Sequence, residues 1–234
     1  MNEFLRPHTE KNTLQHQQFL NEFPVGHKHT KSVIKWFLTL PMYLELETIA
    51  SSSRTSSFIR IVHACWDQQS IDRLCQHLNN DNQFTRKTLY AAARQGNQVF
   101  EAIETLLKGP EIPLPERASF KDKDGIKRYN IRYKWWSRAM NTYREAALVP
   151  VDEKQFIPDS PLPDSFDGAG YAASEAPVFF GHYWMTGQPT PLADNIACLD
   201  FSAGKQGPLV AYRWINDPNS NKLPLTRDHF FVSV

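Results

Sequence analysis

Apolar positions change their spacing several times along the chain. Over residues 9–23 they recur at helical intervals, at Leu14, Phe19, Leu20 and Phe23, behind a capping Thr9, and Pro24 and Gly26 stop the run. A second helical pattern covers 29–39, with Val33, Ile34, Phe37 and Leu38 on one face and Pro41 beyond it. The spacing then shortens to two. Tyr43 to Ile49 alternates as a strand with one wet face, Ser51 to Ser57 is a polar turn, and Phe58 to Val62 is a second strand, which together predict a hairpin. A helix follows over 68–78, with Ile71, Leu74 and Leu78 inward and Asp67 as its N-cap. Residues 84–107 predict one or two more helices with a break near Gly96.

Beyond Gly109 the pattern becomes irregular. Pro110, Pro113 and Pro115 make an extended connector. Residues 120–133 are basic and aromatic, with a turn signal at Asp124-Gly125. Residues 149–170 are proline-rich and carry no period, which predicts a long loop, either functional or mobile. The last quarter is β-rich: Val178-Phe179-Phe180, then 196–201, then 209–215 after the turn at 204–207, with 229–234 closing the sheet edge.

Length and composition narrow the classes. The 234 residues suit one large domain or one and a half. Hydrophobic residues at 41 % and aromatics at 12 % supply a core and exclude a disordered chain. A net charge of +1 argues against a protein built to coat nucleic acid or an anionic membrane. No apolar run is long enough to span a bilayer, and the N-terminus has no basic-then-apolar leader, so a cytoplasmic protein is expected. Cys65, Cys75 and Cys198 lack zinc-finger or redox spacing and read as free thiols. Cys65, two residues from His63, is not expected to act as a nucleophile.

Two histidines stand out because each directly follows a buried strand. His63 comes after Ile59-Arg60-Ile61-Val62, and His182 after Val178-Phe179-Phe180-Gly181. Strand ends at the carboxyl edge of a sheet are where α/β folds gather reacting groups, and neutral imidazole is a common metal ligand. An ordinary partly buried histidine remains the alternative at each position.

The segments Val62-His63-Ala64 and Phe180-Gly181-His182 resemble the last two metal-binding motifs of calcineurin-like metallophosphoesterases. The similarity is to the bacterial branch related to Ser/Thr protein phosphatases and symmetric dinucleoside-tetraphosphatases. Residues 198–202 with 207–214 are similar to that family's strand, glycine turn and strand, and the opening Phe4-Leu5-Arg6-Pro7-His8-Thr9 to the segment after its third motif. The resemblance implies an α/β (α+β) fold, an incomplete four-layer α-β-β-α sandwich. One domain part then covers 1–234: a helical lead-in over 1–40, a hairpin with helices over 41–108, the basic hairpin and proline-rich loop over 109–170, and a β-rich part over 171–234. It further implies hydrolysis of phosphate ester or phosphoanhydride bonds by a metal-bound hydroxide, with two divalent ions (manganese, iron or zinc) and His63 and His182 as metal ligands. The expected substrate is a phosphorylated small molecule or phosphoprotein.

The family's earlier motifs, G-D-x-H-G, G-D-x-x-D-R-G and G-N-H-D/E, are absent. Gly96-Asn97 is followed by Gln98, Asp72-Arg73 lies in a helix, and Asp228-His229 sits near the terminus. Four of six expected ligands are therefore missing. The expectation is a truncated C-terminal portion, inactive alone and prone to self-association, with the remaining motifs encoded upstream of Met1.

Residues 117–138 hold eight Lys or Arg against two Asp, interleaved with Phe120, Tyr129, Tyr133, Trp135 and Trp136. The alternation of Arg128 and Arg132 with Tyr129 and Tyr133 sets both guanidinium groups on one face, a clamp for a substrate phosphate. A solvated hairpin is one alternative. A non-catalytic module binding phosphate or RNA through this segment is the other, although nucleic acid is not the expected partner.

Overall fold

The computed structural model describes residues 8–48, 58–123, 125–168, 170–215 and 223–233. It is a mixed α/β protein with several small sheets, divided into two compact units: one of residues 1–44 with 67–106, the other of 45–66 with 107–234.

The first unit is helical. Helices α1 (Glu10–Glu22) and α2 (Lys28–Phe37) match the two predicted patterns. Thr9 caps α1 as expected by accepting the Asn12 N–H at 3.2 Å. The apolar residues of α2 are not buried: Ile34, Trp36 and Phe37 are exposed. Helix α3 (Gln68–Leu74) buries Ile71 and Leu74, and the Asp67 carboxylate accepts the Ser70 N–H at 2.8 Å. The expected break near Gly96 separates α4 (Arg86–Ala92) from α5 (Gln98–Lys108), where Gly96 takes a left-handed φ of 78°. Within α5, Val99, Ala102, Ile103 and Leu106 are buried at the i, i+3, i+4, i+7 spacing of one face.

The second unit is built on a four-stranded mixed sheet. Its strands are β1 (Tyr43–Glu47), β2 (Phe58–Val62), β8 (Val178–Phe180) and β9 (Ile196–Cys198), in that order. β1 and β2 are neighbours, as a hairpin needs, but the 51–57 turn lies outside the described residues. β2 runs parallel to β8 with Ile61 opposite Phe179, and β8 parallel to β9 with Phe180 opposite Cys198. Every residue of β8 and β9 is buried, as strands covered on both faces must be. On one face Ile59, Phe179, Ala197 and Leu225 join Ile61, Leu199, Tyr212, Trp214, Leu223 and Phe230. On the other, Phe180 meets Trp135, Trp136 and Tyr183 at centroid distances of 5.1, 5.2 and 5.6 Å.

The rest of this unit comprises three small sheets. Strands β3 (Glu111–Pro113), β6 (Asn130–Tyr133) and β7 (Ala147–Leu148) form one; β7 follows the short helix α6 (Tyr143–Ala146). β4 (Phe120–Lys121) and β5 (Lys127–Arg128) form the basic hairpin, and Gly125 at φ 74° makes its turn; Asp124 lies outside the described residues. β10 (Val210–Tyr212) pairs antiparallel with β11 (Phe230–Val232). The expectation that 229–234 closes the main sheet is thus corrected: the segment pairs with β10 in a sheet of its own. Residues 149–168 form a packed strap rather than a bare loop. It holds a 3-10 turn over Val151–Phe156, fully buries Ile157, and contributes Leu162 and Phe166 to the cluster around Ile112, Phe120, Ile131 and Tyr143. Cys65 and Cys198 are buried free thiols, and Cys75 is an exposed one. Among the described residues no helix is long and apolar enough to cross a membrane.

Candidate metal centre

Parallel pairing puts the carboxyl ends of β2, β8 and β9 side by side. The residues just beyond them are His63, Gly181-His182 and Leu199-Asp200. The ladder continues past the strands: Gly181 donates its N–H to the His63 carbonyl at 2.9 Å, and Leu199 to the Phe180 carbonyl at 2.7 Å. The three exits are therefore registered against one another.

This registration brings together the two histidines singled out in the sequence. Their ring centroids are 5.2 Å apart, with the planes inclined at 56°. Both rings have lowered pKa values, which favours the neutral form. Burial pushes His182 down to about 4, with the positive charges of Arg132 and Lys108 acting in the same direction and Asp200 opposing. His63 keeps a solvent-facing side, yet the protein around the rest of its ring also lowers its pKa, again against Asp200. Neutral imidazole is the form that offers a nitrogen lone pair to a cation. The His182 Nε2 is buried and, among the described residues, has no hydrogen-bond partner. A polar atom buried without a partner costs about 1–3 kcal/mol, and a ligand there relieves that cost.

His182 also carries backbone strain. Its φ is 74°, and Trp184 two residues on has φ 51°. Left-handed backbone at non-glycine residues costs roughly 1–3 kcal/mol each and persists only where the surroundings over-determine it. The surroundings here include Asp200. Its Oδ2 accepts the Trp184 N–H at 3.4 Å, its Oδ1 the Ser202 N–H at 2.9 Å, and its carbonyl the Met185 N–H at 2.8 Å. Lys123 Nζ donates to the Trp184 carbonyl at 3.2 Å and lies 4.6 Å from that indole. On the His63 side, Trp135 Nε1–H donates to the fully buried Ala64 carbonyl at 3.0 Å.

The two arginines are not brought together. Arg132, on β6, lies near enough to depress His182; its Nε is buried without a partner among the described residues, and its Nη2 is 3.4 Å from Glu111. Arg128, on β5, is exposed and tied to Asp122 at 2.6 Å in its own hairpin. Tyr129 separates two strands that belong to different sheets, so the alternation that sets both guanidinium groups on one face does not hold across it. Asp200 and Lys123 are site residues that no sequence motif marks. The one signal for Asp200 is its place two residues beyond a buried strand, the same offset as His182 from Phe180.

The nearby donors are the two imidazoles, with ring centroids 5.2 Å apart, and the Asp200 carboxylate. Among the described residues no group of three or more His, Cys, Asp or Glu is arranged to hold a metal ion. Both Asp200 carboxylate oxygens are engaged by backbone N–H groups. Comparison with protein-family models, with curated proteins and with solved structures finds no match for this chain.

Proposed function

We propose that this chain supplies the paired-imidazole part of a divalent-metal site in a calcineurin-like metallophosphoesterase, a phosphatase cleaving phosphate esters or phosphoanhydrides. The observation that supports this reading is the convergence of two imidazoles, with ring centroids 5.2 Å apart, from adjacent parallel strand ends. A divalent metal, when bound, supplies Lewis acidity and a water of lowered pKa. His63 and His182 hold it by nitrogen. Arg132 is the better placed of the two arginines to meet a phosphate oxygen: its charge already reaches His182 and its contact to Glu111 is a long 3.4 Å, whereas Arg128 is held to Asp122 at 2.6 Å. A phosphorylated small molecule or a phosphoprotein is the substrate class. The four-layer α-β-β-α architecture, cytoplasmic location and self-association belong to the same reading. Two imidazoles do not balance the charge of a dinuclear centre, so the 234 residues alone bind a cation but do not turn over.

The test is calorimetric titration with manganese or zinc, beside hydrolysis of p-nitrophenyl phosphate. A second histidine pair, His27 and His29, lies exposed with ring centroids 5.0 Å apart, so the titrations use a His27→Asn/His29→Asn background. Abolished cation binding in both His63→Ala and His182→Ala is the expected result. Metal-dependent hydrolysis by the chain alone would contradict the ligand count, and binding that survives both substitutions would overturn the site.

A second reading, a non-catalytic module that binds RNA, is favoured by one feature: exposed aromatics flanked by ammonium groups. Lys127 lies 5.3 Å from the Tyr129 ring, and Lys205 5.9 Å from Trp184. Salt-sensitive binding of single-stranded RNA, weakened by Tyr129→Ala, would support it, and salt-independent binding would count against it.

A further inference from the structure

We propose that Asp200 is a positioning residue that aims the His182 imidazole at His63 by gripping the backbone that follows His182. Only the metal-binding arm of its test rests on the paired-imidazole reading above.

The chain after β8 does not reach its observed path by local preference. His182 and Trp184 both occupy the left-handed region, where a β-carbon is disfavoured. Something outside the segment must hold it there, and Asp200 meets it at two successive N–H groups, Trp184 through the carboxylate and Met185 through the carbonyl. The other carboxylate oxygen accepts from Ser202, which fixes the carboxylate's own rotation. The parallel pairing of β9 fixes its place, since Leu199 is bonded to Phe180. Asp200 thus converts the register of two strands into the direction of one ring. It acts through the main chain, and among the described residues it makes no hydrogen bond to either imidazole.

Gly181 fits the same arrangement. A β-carbon there would lie 3.4 Å from the Asp200 β-carbon and 3.7 Å from the His63 carbonyl oxygen, so the three exits approach one another closely at this point. Lys123 completes the grip by holding the Trp184 carbonyl while Asp200 holds the Trp184 N–H. The loop is clamped from both sides of one peptide-bearing residue.

The experiment compares wild type, Asp200→Ala and Asp200→Asn, all in the His27→Asn/His29→Asn background. Asparagine keeps one of the two side-chain acceptors, its amide oxygen turned to the Trp184 N–H, gives up the one that receives the Ser202 N–H, and removes the charge. The first readout is the nuclear Overhauser effect between the two imidazoles, which needs no metal. It is expected in wild type and Asp200→Asn and absent from Asp200→Ala. Its persistence in a folded Asp200→Ala overturns the proposal, as does its absence from Asp200→Asn. If the alanine variant fails to fold, the asparagine variant decides alone: an intact ring-to-ring signal supports the acceptor role, and a missing one overturns it. The second readout is zinc affinity by calorimetry, expected to fall about tenfold or more in Asp200→Ala and to stay within about threefold in Asp200→Asn. Wild type that binds no zinc defeats the metal reading, while the ring-to-ring signal still tests Asp200.

Discussion

Replacing Trp135 by phenylalanine tests how the His63 side of the site is held. The indole is buried and donates its N–H to the Ala64 carbonyl, a group with no exposure to solvent. Phenylalanine preserves an aromatic ring among Phe180, Trp136 and Tyr171, at 5.1, 5.7 and 5.9 Å, but leaves that carbonyl without its donor. An unsatisfied buried carbonyl costs about 1–3 kcal/mol. The space vacated by the smaller ring adds roughly 1 kcal/mol at about 24 cal/mol per Å³ of residual cavity. The expected destabilisation is therefore about 2–4 kcal/mol, read by urea denaturation followed by far-ultraviolet circular dichroism. Because Ala64 follows His63 directly, the Overhauser effect between His63 and His182 should weaken as well. A destabilisation below about 0.5 kcal/mol would refute the reasoning, since water would then be replacing a bond that the structure encloses.

Three further outcomes follow from the same packing. Gly207→Ala should be strongly destabilising, by about 3 kcal/mol or more in thermal melts, because the added methyl runs into the backbone carbonyls of Phe201 and Ser202. Ile131→Ala, at a fully buried position in the β3–β6–β7 cluster, should cost about 2–5 kcal/mol by chemical denaturation. Burial raises the Tyr171 phenol from 10 to about 12, against its hydrogen bond from Arg60. The folded state thus holds that proton more tightly than the unfolded state does. The stability this contributes is complete below pH 10 and disappears as pH rises through 12. Wild type should lose stability between pH 10 and 12 more steeply than Tyr171→Phe, and equal slopes would show that the phenol titrates normally.

Local signals in the sequence are strong where one chemical feature decides the outcome. Thr9 and Asp67 cap their helices, Gly96 breaks the helical run, and Val178-Phe179-Phe180 is the buried strand that its three apolar residues indicate. The pairing of β2 with β8 is not legible. The partners lie more than a hundred residues apart, and nothing local states that such strands run parallel. Their order decides the site, because it alone places His63 beside His182. The 149–168 strap has the pattern of a loop for a similar reason: Ile157 is anchored by Ile131 and Tyr143 from distant segments, and one anchor makes no period. Alternation puts Arg128 and Arg132 on one face only if the strand is continuous, and the chain changes sheets at Tyr129. Asp200 escapes a motif search because its partners are backbone N–H groups, which leave no mark in a sequence.

Electron paramagnetic resonance of one equivalent of copper(II), added to the His27→Asn/His29→Asn protein, tests the central claim most directly. The account predicts nitrogen superhyperfine structure from two imidazoles, lost in His63→Ala and, separately, in His182→Ala as the copper leaves the site. A spectrum unchanged by either substitution would contradict it, because the copper would then be held somewhere other than the edge where β2 and β8 end.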